Sequence, residues 1–191
     1  MHMLIVLGSP RKNGNSEIMA QHVAQGIEKG GGTVEYIRLN SLNLSPCQGC
    51  GGCEGTGNCV IEDDMVDIYE RVDAADRVLV VSPVYFYGLT AQTKIFIDRF
   101  QARWSRKHIL GVRYRQEEGR KGYLLSVAAT KGAKVFDCNL LILKYFFDAL
   151  DMAFADSLLL KGVDHQGAVR ELPAELERAE AFGRDIVTGV R

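Results

Sequence analysis

The sequence predicts an α/β fold, a doubly wound five-stranded parallel sheet with helices on both faces. Three observations lead there. Short, nearly continuous apolar runs alternate with longer stretches of helical periodicity along the chain, the order of a β-α-β protein. The apolar runs lack the in-out alternation of a half-solvated strand, as expected where helices cover both faces of a parallel sheet. The chain has 191 residues, 47% of them hydrophobic, with no repeat or Pro/Ser-rich linker. That suits one domain over 1–191 with a substantial core.

Strands are predicted over 4–7, 34–39, 78–81, 123–127 and 157–160, and helices over 16–29, 65–74, 90–102, 139–151 and 174–187. Leu4-Ile5-Val6-Leu7 is a wholly apolar first strand, and the helix after it stops at Gly30-Gly31-Gly32, glycine being the usual residue past a helix end. Asp63 and Asp64 precede the helix that begins near Met65, where the helix dipole favours carboxylates. Val78-Leu79-Val80-Val81 and Tyr123-Leu124-Leu125-Ser126-Val127 are the third and fourth strands. Cys138 adjoins the apolar fourth helix and is expected to be a buried core thiol. Pro173 suits the first position of the last helix.

In such a fold ligands bind at the carboxyl ends of the strands, beside the point where strand order reverses. The first strand is followed by Gly8-Ser9-Pro10-Arg11-Lys12-Asn13-Gly14-Asn15-Ser16, a polar loop opening directly into a helix. Amides at a helix start bind phosphate, so Ser9, Asn15 and Ser16 are candidate donors and Arg11 a candidate cation. The plainer alternative is a helix capped by Asn15 or Ser16. The loop is neither G-x-G-x-x-G nor G-x4-G-K-[ST], which disfavours a dinucleotide fold or an NTPase. After the third strand comes Ser82-Pro83-Val84-Tyr85-Phe86-Tyr87-Gly88. Pro83, Val84, Tyr85, Phe86, Tyr87 and Gly88 are candidates to wall a flat heteroaromatic ring. A subunit interface is the competing use of such aromatics. Ala128-Ala129-Thr130-Lys131-Gly132, after the fourth strand, is small enough to edge a ring.

Four cysteines, Cys47-x2-Cys50-x2-Cys53-x5-Cys59, fall in a segment that also holds Gly49, Gly51, Gly52, Gly55 and Gly57. Thiolates this close suit a cubane iron–sulfur cluster, around which small residues let the backbone fold. Structural zinc, and redox-active or vestigial thiols, are alternatives. The spacing departs from the bacterial ferredoxin run, in which the fourth cysteine follows after three residues and precedes proline.

Net charge is −1, and no nucleic-acid motif accompanies it, so nucleic acid is an unexpected partner. No apolar run reaches the roughly 18 residues of a membrane span, and no secretory signal precedes the first strand; membrane association is not expected and a cytoplasmic location is. Residues 99–121 hold eight Lys and Arg against Glu117 and Glu118, expected to be a solvated loop, with a docking face for an acidic partner as the sharper reading. His2, His22, His108 and His165 are scattered, so no acid–base catalyst is assigned.

Taken together, Gly8-Ser9-Pro10-Arg11-x-x-Gly14-Asn15-Ser16, the cysteine run followed by Asp63-Asp64-Met65, and Ser82-Pro83-x-Tyr85 with Lys94-x-x-Ile97-Asp98-Arg99 resemble the NADPH-dependent FMN reductase superfamily. The four cysteines make the chain similar to its iron–sulfur flavoproteins, and the resemblance covers nearly the whole chain in order. It implies a flavodoxin-like fold, FMN held by the three loops, and a [4Fe–4S] cluster on Cys47, Cys50, Cys53 and Cys59. It further implies a homodimer or homotetramer in which one subunit's cluster approaches the other's flavin. The expected activity is electron transfer between an external donor such as ferredoxin and an acceptor, through cluster and flavin. The second expectation is an NAD(P)H-dependent FMN or quinone reductase whose cysteine loop is structural, zinc-filled or empty. A redox sensor that signals by losing its cluster is the third. The segment 99–121 matches no motif of the family.

Overall fold

The structure, a computed structural model, describes residues 1–190; the side chain of Glu117 lies outside that description. Its elements run β1 (His2–Leu7), α1 (Asn15–Lys29), β2 (Thr33–Arg38), α2 (Met65–Ala74), β3 (Arg77–Pro83), α3 (Ala91–Arg99), α4 (Gln101–His108), β4 (Lys121–Ala128), α5 (Asp137–Ala149), β5 (Ala153–Lys161) and α6 (Pro173–Thr188). The strands form one parallel sheet in the order β2-β1-β3-β4-β5, the flavodoxin-like arrangement, with its reversal of strand order between β1 and β3.

Alternation along the strands divides the interior into two cores. Met3, Ile5 and Leu7 of β1, with Leu79, Val81, Tyr123 and Leu125, pack against α1 and α6. Leu4 and Val6, with Val78, Val80 and Leu124, face α2, α3 and α5. Helices α1 and α6 approach backbone to backbone. A Cβ on Gly26 would sit 2.0 Å from the Glu180 carbonyl oxygen, and one on Gly183 would sit 2.0 Å from that of Val23.

Three expectations are corrected. The helix expected over 90–102 is two helices, α3 and α4, meeting at Phe100. The Phe100 ring wedges edge-on against Tyr69, Phe96 and Phe146, with centroids 5.0–5.2 Å apart. Cys138 is exposed because α5 buries Asn139, Leu143, Phe146 and Phe147, a helical stripe that turns its neighbour Cys138 to solvent. The basic stretch is not a solvated loop. Arg99, Arg103 and Arg120 are 1%, 6% and 2% exposed, and Arg113 and Arg115 pair with Asp151 and with Asp76 and Glu118. With the charges so engaged, the docking-face reading loses its basis.

Candidate functional site

A cavity of about 140 Å³ opens at the carboxyl ends of β1, β3 and β4, lined by Ser9, Arg11, Gly14, Asn15, Ser16, Pro83, Val84, Tyr85, Val127, Ala129, Val163, Asp164 and Gln166. Its floor is the start of α1. The N-cap is Gly14 rather than Asn15 or Ser16, and no side chain caps the helix, which leaves first-turn amides unclaimed by any cap. Ser16 is buried on the cavity wall. Asn15 is committed elsewhere: its Nδ2 donates to the His165 carbonyl at 2.9 Å and its Oδ1 accepts from Val169 N–H at 3.2 Å, tying the loop after β5 to α1. Ser9 Oγ accepts from Arg11 N–H at 3.2 Å, a local turn that shapes the rim, and Arg11 is exposed beside it. Glu17, in the first turn, accepts from Asn13 N–H at 2.7 Å and is ion-paired with Arg38, so its charge is countered.

Close packing fixes the rim against α3. Thr90 Oγ1 donates to the Gly8 carbonyl at 2.6 Å, and its N–H donates to Ser82 Oγ at 3.2 Å. A Cβ on Gly8 would lie 1.8 Å from Thr93 Oγ1, so only glycine fits there. Beyond Pro83 and Val84 the chain makes a two-residue hairpin. Tyr85 and Gly88 exchange both backbone hydrogen bonds at 3.0 Å, with Phe86 and Tyr87 at φ +49° and +61°. This is a type I′ geometry, normally built from Asn and Gly, and bulky residues at positive φ are strained. Tyr85, Phe86 and Tyr87 are all exposed at the tip. Val84, Phe86 and Tyr87 also line a shallow depression with Ala128, Ala129 and Thr130, where the small segment after β4 meets the hairpin. Val163, Asp164 and Gln166 were missed from sequence; applying the carboxyl-end rule to the fifth strand finds them.

The four cysteines line a second cavity of about 140 Å³ with Arg99, Gln101 and Ala102. All four are free thiols, Cys47 and Cys50 exposed and Cys53 and Cys59 half-buried. Gly49, Gly51 and Gly57 take positive φ in the loop, while Gly52 sits where a Cβ would lie 2.8 Å from Val60 Cγ1. Among the described residues, no three His, Cys, Asp or Glu side chains are grouped to hold a metal ion. The donor set itself, four cysteine sulfurs around one hollow, suits iron–sulfur or zinc chemistry.

Two arginines clamp this loop to the body. Arg99 Nη1 donates to the Ser45 carbonyl at 2.9 Å and to Asp63 at 2.5 Å; Nη2 donates to the Ile61 carbonyl at 3.2 Å and to Asp63 at 3.1 Å. Asp63 also accepts from Ser45 N–H at 2.8 Å and Met65 N–H at 3.0 Å, the helix-start role its position predicts. Burial opposes the Asp63 charge, but the hydrogen bonds from Arg99, Ser45 and Met65 prevail and hold its carboxyl below the usual carboxylate range. Arg103 bonds Asp73 at 3.0 Å and the Gly57 carbonyl at 3.2 Å, its guanidinium stacked 4.6 Å above the Tyr69 ring. Ser105 Oγ lies 3.5 Å from Cys53 Sγ. The Tyr69 hydroxyl donates to the Arg99 carbonyl at 2.6 Å, and burial, then the neighbouring Cys59, push its proton affinity up.

Comparisons with known proteins agree with this architecture. The chain is 43% identical over 94 residues to an iron–sulfur flavoprotein of Archaeoglobus fulgidus, covering 49% of this chain and 43% of that protein. It is 37% identical over 99 residues to an iron–sulfur flavoprotein of Methanocaldococcus jannaschii, covering 52% and 51%. The chain thus spans about half the length of these curated relatives. An NAD(P)H:quinone oxidoreductase from Methanothermobacter marburgensis superposes with a TM-score of 0.75 at 20% identity, over 97% of this chain and 96% of that one, which is a likeness of fold. Among the described residues no helix is long and apolar enough to cross a membrane. Residues 1–153 match the model of the NADPH-dependent FMN reductase family, and the chain belongs to that family.

Proposed function

We propose that the chain is an electron-transfer oxidoreductase carrying FMN at the β1–β3–β4 cavity and a [4Fe–4S] cluster in the cysteine cavity. It would pass electrons between an external donor, such as ferredoxin or NAD(P)H, and an acceptor. The observation that carries this reading is the pairing, in a chain of the FMN reductase family, of an uncapped helix start at one cavity with four free thiols around another. A cubane takes one thiolate on each of its four irons, and the four cysteines supply that number.

Bound FMN and cluster would supply the hydride and one-electron chemistry, which belongs to the cofactors. The chain's part is to bind and orient. The amides opening α1, with the Ser16 hydroxyl, suit the FMN phosphate, and helix polarity favours its charge. Arg11 adds a cation at the rim. Pro83, Val84 and Tyr85 wall the adjoining space, and Phe86, Tyr87 and Gly88 continue that wall to the surface. Cys47, Cys50, Cys53 and Cys59 are the cluster ligands.

One FMN-binding domain over 1–191, in a reducing cytoplasmic setting, fits the absence of disulfides among five free cysteines. A homodimer or homotetramer accords with the apolar groove between α4 and α5, where Trp104, Leu141 and Tyr145 are exposed. Anaerobic purification tests the reading: FMN released by acid, with iron and sulfide in roughly fourfold ratio to protein as a [4Fe–4S] cluster requires, supports it. Recovered FAD, or zinc without sulfide, refutes it. The second reading, an NAD(P)H-dependent FMN or quinone reductase with a structural cysteine loop, draws on the relative from Bacillus subtilis named a putative NAD(P)H-dependent FMN-containing oxidoreductase, 27% identical over 100 residues. Steady-state turnover with NADPH that survives loss of all four thiols would favour it.

A further inference from the structure

A guanidinium has five N–H donors in a fixed fork. In Arg99 the Nη groups are given to Ser45, Ile61 and both oxygens of Asp63. The remaining donor, Nε–H, is buried and has no hydrogen-bond partner. A buried N–H of a charged group left unpaired is costly, and Arg99 lines the hollow that the four cysteines surround. Cys59 is near enough to act electrostatically on Arg99. Behind Cys53, one turn into α4, Ser105 is fully buried with its hydroxyl 3.5 Å from Cys53 Sγ. A thiolate can only accept, so with a metal-bound Cys53 the hydroxyl must donate.

We propose that Arg99 and Ser105 are positioning and potential-setting residues of the four-cysteine site, Arg99 directing its free Nε–H and charge at the site beside Cys59 and Ser105 donating to Cys53 Sγ. The inference rests on the cysteines being metal ligands. Hydrogen bonds to ligand sulfurs and a nearby cation stabilise the more negative state of a thiolate centre. They therefore tighten metal binding and raise the reduction potential of a cluster. The same guanidinium holds the loop at Ser45 and Ile61, so one residue sets both the loop's place and its field.

The test uses the full chain stripped of metal and titrated anaerobically with Co²⁺, whose thiolate charge-transfer absorption reports binding whatever the native metal. Ser105→Ala and Arg99→Lys, the latter retaining the charge opposite Asp63, are each expected to weaken Co²⁺ binding by about 10- to 100-fold, the range for residues behind metal ligands. After reconstitution with iron and sulfide, both are expected to shift the cluster midpoint to lower potential, a change that looser packing alone does not direct. Cys138→Ser should move neither. Wild-type Co²⁺ affinity in Ser105→Ala and Arg99→Lys proteins that unfold as wild type does would overturn the proposal. Should Arg99→Lys fail to fold, Ser105→Ala decides alone. Wild-type protein that binds Co²⁺ through thiolates yet takes up no iron and sulfide refutes the cluster, while the cobalt affinities of the variants still judge the roles of Arg99 and Ser105. Absence of the thiolate band in wild type overturns both.

Discussion

Replacing Asp63 by alanine removes the keystone of the cysteine loop. The carboxylate is 2% exposed and accepts four hydrogen bonds, two from Arg99 and one each from the N–H groups of Ser45 and Met65. Its loss leaves the Arg99 guanidinium buried without a counter-charge and two backbone donors unpaired. Breaking one side of a buried ion pair costs about 3–5 kcal/mol, a large part of the roughly 5–15 kcal/mol that holds a domain folded. Urea unfolding should show that loss for Asp63→Ala. Limited proteolysis should cut within residues 45–62 first, because the clamp fastens that segment and local opening begins where fastening is weakest. Removing both charges, in Asp63→Ala with Arg99→Met, should recover part of the stability, since an apolar pair carries no stranded charge.

Acid supplies a second readout of the same pair. The folded Asp63 carboxyl lies below its ordinary value of about 3.9. Its contribution is therefore complete above that value and lost as pH falls through the lower folded one. The wild type should lose loop protection only below about pH 4, and Asp63→Ala should lack that acid step. A variant within about 0.5 kcal/mol of wild type, the usual scatter of surface substitutions, with an uncut loop, refutes the clamp.

Three further outcomes are expected. Ser16→Ala and Arg11→Ala should each weaken FMN binding by about 10-fold or more, the worth of a hydrogen bond to a charged group, measured by fluorescence quenching; unchanged affinity would remove the α1 start from the phosphate site. Alanine at Cys47, Cys50, Cys53 or Cys59 should abolish iron binding and spare FMN, because the two cavities share no residue, whereas Cys138→Ala should keep full iron content, read by iron assay. Gly183→Ala should destabilise by about 1–3 kcal/mol in thermal or urea unfolding, as overpacking does, because its methyl would meet the Val23 carbonyl at 2.0 Å.

The central strands β1, β3 and β4 were legible because burial on both faces writes them as nearly unbroken apolar runs. The edge strands β2 and β5 carry charged residues and are only partly buried. The cavity wall at the start of α1 was legible because a polar loop opening directly into a helix after a strand stands at the carboxyl edge of the sheet, where the cavity lies. What escaped the sequence depended on partners distant along the chain. Arg99 meets Asp63 across 36 residues and Arg103 meets Asp73 across 30, so a run that reads as surface charge is largely interior. Cys138 looked buried from the apolar character of its neighbours, yet one step along a helix turns a side chain by about 100°, out of the stripe. The hairpin at Phe86 and Tyr87 was unreadable for another reason. Aromatic residues argue against positive φ, and only tertiary context overrides that preference, as it does most often at functional loops.

One helix links the two cavities. At its N-cap, Thr90 is bonded to Gly8 and Ser82 on the rim of the first; at its last residue, Arg99 stands in the wall of the second. Nine steps at about 1.5 Å each put roughly 13–14 Å of helix axis between them. Both ends are buried and hydrogen-bonded, so α3 acts as a spacer of set length. Under the proposed function, flavin and cluster of a single chain are then held apart rather than in contact, and no loop motion at one end can close that gap without breaking the bonds of Thr90 or the Asp63 clamp. Under the same proposal a shorter route would need a second copy, whose cysteine loop would reach this chain's flavin cavity from outside. The aromatic tip at Tyr85, Phe86 and Tyr87, exposed beside that cavity, is the surface such a loop would meet first. Under the proposed function the strained hairpin would then have a place in the assembly as well as in the wall of the flavin site.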